Sequence, residues 1–117
     1  MAEQTLEARA VARYIQMSPY KMRRVVNVVR GMPVEQAVAT LRLMPHRAAK
    51  PVRKVIESAA ANAEENLGLS RSDLYIAEIR VDEGPTRKWR RFAARGRFKP
   101  ILKRSSHISV VLREMGS

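Results

Sequence analysis

The residues of this chain with the clearest chemical potential are the basic and aromatic side chains between Gly84 and Arg113. These 30 residues contain ten lysines and arginines and no acid, whereas the other 87 residues carry 13 basic and 11 acidic side chains. Three of the six aromatic residues, Trp89, Phe92 and Phe98, lie in the same stretch. Basic side chains neutralise phosphates, and aromatic rings stack on exposed bases. The segment is therefore predicted to bind a polyanion, and a nucleic acid is the favoured class.

Length and composition narrow the class of protein further. The chain of 117 residues fits a single domain over 1–117, and its 45% hydrophobic content is ordinary for a folded protein despite a net charge of +12. We expect no membrane partner, because no stretch approaches the roughly 20 apolar residues that cross a bilayer. The polar segment Met1–Ala10 does not look like a signal peptide. With no cysteine in the sequence, a cytoplasmic location is expected.

A short strand and three helices are predicted before the basic segment. Weak alternation predicts an edge strand over Ala8–Ile15, with Arg9 and Arg13 facing opposite to Tyr14. Ser18 and Pro19 supply the N-cap and first residue of a helix that ends at Gly31. The second helix is predicted between Met32-Pro33 and Met44-Pro45, and the third from about His46 to Asn66, with Pro51 near its beginning.

Two strands are predicted around the basic segment. After Ser70 the period changes to two, which predicts one face made of Tyr75, Ala77, Ile79 and Val81 and an opposite face that includes Leu74 and Ile76. Ile108, Val110 and Leu112 share one face of the last strand. The predicted fold is α/β: a small body of three helices packed on a short antiparallel sheet, with a long projecting β-hairpin.

The hairpin, at about residues 82–104, is predicted to project from the body as an arm. Alternation over Thr86–Lys99 leaves no apolar face, so neither side can lie on a hydrophobic core. Extended chain from Tyr75 to Phe92 would reach about 50 Å at ~3.3 Å per residue, whereas a compact body of this size is about 26 Å across. The arm's tip is predicted at Arg87–Phe92.

Four sequence motifs resemble a known family. Ser18–Val26, which reads SPYKMRRVV, and Lys54–Glu64, which reads KVIESAAANAE, resemble helical segments of the bacterial-type ribosomal large-subunit protein number twenty-two family. Val81–Pro85 and Arg104–Ile108 also resemble segments of this family. The motifs occur in the family's order and at its spacing, and the resemblance extends from about Ala8 to Leu112.

The resemblance implies a structural constituent of the large ribosomal subunit that is not an enzyme. By resemblance, its partners would be large-subunit ribosomal RNA, neighbouring ribosomal proteins and, at the hairpin tip, the nascent polypeptide. It would aid assembly, line the polypeptide exit tunnel with its hairpin, and act as a monomer within the ribosome. The expected location is the cytoplasm, or the stroma if the gene is organelle-encoded.

Candidate RNA contacts fall into an arm set and a body set. Basic residues are expected to contact phosphates, whereas Trp89 and Phe92 are expected to stack on bases or to pack against the tunnel wall. The arm set is Arg87, Lys88, Trp89, Arg90, Arg91, Phe92, Arg95, Arg97, Lys99, Lys103, Arg104 and His107. The body set is Arg9, Arg13, Ser18, Lys21, Arg23 and Arg24.

The sequence argues against catalysis, metal binding and a small-molecule substrate. His46 and His107 are the only histidines, and no cysteine assists them, so a zinc site with its usual four ligands is not expected. Neither common phosphate-binding glycine loop occurs. We therefore expect no cofactor and no catalytic residue.

Three other functions are compatible with parts of the pattern. A helix-turn-helix reader would place Glu35, from the start of the second helix, against phosphates, which would repel it. An architectural DNA-binding protein with a β-arm could wedge Trp89 or Phe92 between bases, and this is the main alternative. A partner of an acidic protein would need no aromatic residues in the arm.

Overall fold

One strand, three helices and four further strands follow one another in the computed structural model, which describes residues 6–93 and 97–116. The elements are β1 (Glu7–Ile15), α1 (Pro19–Val29), α2 (Val34–Leu43), α3 (Ala49–Leu67), a 3-10 turn (Arg71–Asp73), β2 (Leu74–Glu83), β3 (Arg87–Ala93), β4 (Arg97–Lys103) and β5 (Ser106–Glu114). The helices pack on an antiparallel sheet of order β1-β5-β2, and β3 and β4 form a separate two-stranded sheet. The predicted α/β class is confirmed.

Helix α1 begins where its sequence predicts. The Ser18 side chain accepts a hydrogen bond from the backbone N–H of Lys21 at 3.4 Å, and Pro19 is the first helical residue. Ser18 therefore satisfies one of the first-turn amides that lack a helical partner. The buried side of the helix consists of Pro19, Met22, Val25, Val26 and Val29.

Helix α3 begins at Ala49, three residues after the predicted start at His46. Pro51 is consequently the third helical residue, where a missing N–H costs no helical hydrogen bond, so the helix tolerates it. The C-cap residue Gly68 has a φ of +66°, which glycine adopts without strain.

Small side chains bring α3 close to the sheet. Ala59, Ala60 and Ala63 are fully buried, and α3 packs against β1 and β5. The side-chain amide of Asn62 also donates a hydrogen bond to the backbone oxygen of Arg9 in β1 at 3.1 Å. The edge strand β1 is thereby fixed to the helical layer.

The prediction of a single alternating face for β2 is wrong. Leu74 and Ile76 are buried together with Ile79 and Val81, because a register shift against β5 between Ile76 and Glu78 moves the buried face by one residue. A bulge of this kind adds a residue to one strand and reverses the alternation beyond it. The shift brings both halves of β2 into the core, and each fully buried isoleucine contributes about 1.5–3 kcal/mol.

The alternation predicted for β1 also ends early. The register of β1 against β5 shifts between Ala12 and Ile15, and Tyr14 has a φ of +57°. Arg9, Arg13 and Tyr14 are all exposed, so the predicted separation of the two arginines from Tyr14 does not appear as a difference in burial. The edge position of β1 is confirmed.

The separate two-stranded sheet makes the molecule elongated. Its principal extents are 68 × 33 × 21 Å, and the radius of gyration of its Cα atoms is 17.6 Å. A compact chain of this length would have a radius of gyration of about 13 Å. The arm formed by β3 and β4 therefore extends beyond the body.

Candidate nucleic-acid interface

The backbone of the arm pairs residues of like charge. In the antiparallel register of β3 and β4, Arg87 lies opposite Lys103 and Arg91 lies opposite Lys99. Like charges at directly opposed positions destabilise a strand pair. A polyanion that neutralises them would remove this repulsion, so the register itself favours an anionic partner.

The register also corrects the predicted tip of the arm. Arg87 pairs at the end nearest the body, and Ala93 pairs with Arg97 at the far end. Residues 87–92 therefore form one strand of the arm and not its tip, because each of them pairs with a residue of β4. Arg95, one of the predicted RNA contacts, lies outside the described residues.

Aromatic residues occupy defined positions in the same register. Phe92 lies opposite Phe98, one pair from the far end of the described ribbon, and Trp89 lies opposite Ile101. The predicted basic contacts of the arm strands lie beside and between these positions. Along β3 and β4 they are Arg87, Lys88, Arg90, Arg91, Arg97, Lys99 and Lys103.

The root of the arm is held by hydrogen bonds across the two connecting segments. The backbone N–H of Gly84 donates to the backbone oxygen of Ser105 at 2.9 Å, and the Ser105 hydroxyl donates to the backbone oxygen of Pro85 at 2.9 Å. A Cβ atom at Gly84 would collide with the Ser105 hydroxyl oxygen and lie 3.2 Å from the Ser105 carbonyl carbon. Glycine therefore permits the close crossing at which the arm leaves the body.

His107 is anchored to β1 at the same end of the body sheet. Its Nδ1 accepts a hydrogen bond from the backbone N–H of Tyr14, which leaves Nε2 as the position for the ring proton in this arrangement. Half-buried His107 lies close to the root residues Ser105 and Ser106 in the chain. Its predicted contact with RNA would use that remaining N–H.

A basic cleft of about 660 Å³ lies at the root of the arm. Lys21 and Arg24 of α1 face it together with Arg104, and so do His46 and Arg47 from the connection before α3. The sequence predictions included Ser18, Lys21, Arg24 and Arg104 but missed the contribution of His46 and Arg47. The signal that could have found them is that His46 and Arg47 are adjacent, between Pro45 and Ala48.

The remaining body residues do not gather at this cleft. Arg23 donates a hydrogen bond to the Val81 backbone oxygen at 3.1 Å, and Arg30 donates one to the Ile79 backbone oxygen at 2.7 Å. Both acceptors belong to β2, an outer strand of the sheet. Arg23 thus covers a sheet edge, whereas Arg13 lies exposed at the end of β1.

Arg9 takes part in an ion-pair network at the opposite end of β1. Its guanidinium lies 2.8 Å from one carboxylate oxygen of Glu7, and Arg113 lies 2.7 Å from the other. Hydrogen bonds from Arg9 first, and then from Arg113, hold the pKa of Glu7 below its ordinary value of 4.5. The hydrogen bond with Glu7 raises the pKa of Arg113. Part of the positive charge of Arg9 is therefore already compensated.

A small α/β body with a cationic arm and a basic cleft is typical of proteins that associate with nucleic acids. The model of the family described as ribosomal protein L22p/L17e matches residues 10–113, so the chain belongs to that family. Proteins of this family are structural ribosomal proteins, and this protein is accordingly not an enzyme.

Relatives from distant organisms agree with this assignment. The large ribosomal subunit protein uL22c of Chlorokybus atmophyticus is 52% identical over 108 residues, which cover 92% of this chain and 91% of the relative. Protein uL22 of Synechococcus sp. strain JA-3-3Ab is 51% identical over 113 residues, which cover 97% of this chain and 92% of the relative. Protein uL22 of Chloroflexus aggregans is 50% identical over 107 residues, which cover 92% of this chain and 95% of the relative.

Neither a membrane span nor a metal site emerges from the described residues. Within residues 6–93 and 97–116, no helix has the length and apolar character needed to cross a membrane. The same residues contain no cluster of three or more histidine and acidic side chains suited to a metal ion.

Proposed function

We propose that this protein is a structural component of the large ribosomal subunit that binds large-subunit ribosomal RNA. The like-charge register of the arm, with Arg87 opposite Lys103 and Arg91 opposite Lys99, carries the proposal. A ribbon with this charge pattern is stabilised when phosphates surround it. Family membership then makes ribosomal RNA the fitting polyanion.

The arm would extend through RNA and line the polypeptide exit tunnel, where the nascent chain would pass its far end. The extent of 68 Å along the longest axis supports this role, because the arm reaches well beyond the body. Neighbouring ribosomal proteins would be further partners, and binding during assembly would order the RNA around the arm. The location would be that of the ribosome, in the cytoplasm or in the stroma.

Co-sedimentation tests the proposal. A tagged copy of the chain is expected to migrate with the large subunit when low magnesium separates the subunits, and ribonuclease should release it. The double variant Arg90→Ala, Arg91→Ala should associate less than Lys54→Ala, Arg80→Ala, which removes the same charge from the body. Migration with DNA, sensitive to deoxyribonuclease and not to ribonuclease, would instead favour an architectural DNA-binding protein with a β-arm.

A further inference from the structure

The basic cleft at the root of the arm has a floor as well as a charged rim. Met17 and Ala48 line it, and Ala48 is only 4% exposed. The Ser106 hydroxyl, fully buried, donates a hydrogen bond to the Met17 backbone oxygen at 2.7 Å. The floor is thus fixed before any ligand arrives, which lowers the ordering cost of binding.

The rim carries positive charge that the protein does not compensate. Lys21, Arg24, Arg47 and Arg104 all line the cleft, and no acidic residue is among its lining residues. Within the described part of the chain, none of these four residues forms an ion pair. Five other arginines do form ion pairs with glutamates: Arg9, Arg42, Arg53, Arg71 and Arg113. Converging uncompensated cations raise the local concentration of anions.

The cleft is large enough to hold a nucleotide. A volume of about 660 Å³ lies in the range of small-molecule sites, about 300–1,000 Å³, and exceeds what one phosphate group fills. The apolar surface of Met17 suits the face of a base, and the Gln16 amide, also in the lining, offers both donors and an acceptor to a base edge. Proteins commonly read RNA through such unstacked bases.

We propose that this cleft binds a single nucleotide of large-subunit ribosomal RNA that is unstacked from its neighbours. Its phosphate is held by Arg24, Arg47 and Arg104, and its base lies against Met17. This inference rests on the proposed function and adds a second RNA anchor on the body, beside the arm. The site then fixes the position from which the arm enters the RNA.

Paired charge variants test the anchor. Arg24→Ala, Arg47→Ala is expected to weaken binding to a large-subunit RNA transcript by about 10- to 100-fold. The control Lys54→Ala, Arg80→Ala removes the same charge from residues that do not line the cleft and should weaken binding much less. If the wild-type protein binds the transcript and both variants weaken it equally, the cleft proposal fails while the proposed function stands. A wild-type protein that does not bind large-subunit RNA would instead contradict the proposed function.

A titration of the wild-type protein tests the nucleotide. Adenosine and uridine 5′-monophosphates should shift the NMR signals of the Met17 methyl group and the Ala48 amide, and should saturate at lower concentration than inorganic phosphate. If phosphate and the nucleotides saturate at the same concentration and the Met17 methyl signal does not shift, the base-binding part of the proposal is overturned. Circular dichroism of each variant confirms that the loss of binding does not reflect unfolding.

Discussion

The backbone N–H of Tyr14 donates a hydrogen bond to His107 Nδ1 at 3.0 Å, and the two rings meet edge to face with centroids 4.9 Å apart. The bond spans the irregular end of β1, where Tyr14 adopts a φ of +57°. A non-glycine residue in this conformation costs about 1–3 kcal/mol and persists only where its surroundings hold it. His107 therefore holds β1 in place beside the root of the arm.

Replacing His107 by alanine removes the acceptor for the Tyr14 N–H together with the ring contact. We expect His107→Ala to lower the free energy of unfolding by about 1–2 kcal/mol. Urea denaturation measures the change, and Ser109→Ala, two residues along the same strand, serves as the control. Equal stability of the two variants would contradict an anchoring role for His107.

Gly84→Ala tests the close crossing at the arm root. The added methyl group would meet the Ser105 side chain and backbone, so we expect a loss of about 1–3 kcal/mol of stability. Because much of the collision is with the hydroxyl, adding Ser105→Ala should restore part of the lost stability. The double variant should then be more stable than the sum of the two single effects predicts. If thermal unfolding shows that the stability changes of the two single variants simply add in the double variant, the two residues do not compete for this space.

The Glu7 network predicts a pH dependence of stability. The pKa of Glu7 is lowered in the folded protein by Arg9 and Arg113, so the unfolded chain binds the proton first as the pH falls. The stabilising contribution is therefore fully present above pH 4.5 and is lost as the pH falls through the lower folded pKa. Glu7→Gln should lower the melting temperature at pH 7 but not at pH 2.5, whereas the surface control Glu65→Gln should not show this convergence.

The charge of the arm predicts a steep salt dependence of RNA binding. If the arm neutralises five or more phosphates, the slope of log K against log salt concentration should be about −3 to −5. Arg90→Ala, Arg91→Ala should flatten this slope by about one to two units. A filter-binding series from low to high potassium chloride measures it, and an unchanged slope would exclude β3 as the main contact.

Local signals predicted the elements, whereas tertiary pairing decided their details. Ser18 and Pro19 marked the start of α1 because capping depends on adjacent residues. The bulge between Ile76 and Glu78 was not predictable, because it arises from pairing with β5. The cleft was missed for the same reason: Arg24 and Arg47 come together only when α1 and the connection before α3 pack in the fold.

The arm residues could be selected by charge, but their arrangement could not. An acid-free run indicates a polyanion partner without fixing where the chain reverses. Charge alone therefore indicates Arg87–Phe92 as the tip, whereas the register makes it a strand. The predicted RNA contacts of both the arm and the body remain predictions.

The central position of β5 has a consequence for the order of folding during synthesis. Both pairings of the body sheet use this strand, and the Arg113 side chain binds Glu7 across 106 positions of sequence. Such long-range pairing closes slowly, because loop-closure entropy is lost before any contact forms. Because translation proceeds from the N-terminus, β1 and β2 cannot pair with β5 until the arm, which precedes β5 in the sequence, has been synthesised. The ribosome must therefore release the charged arm before the body that carries it can close.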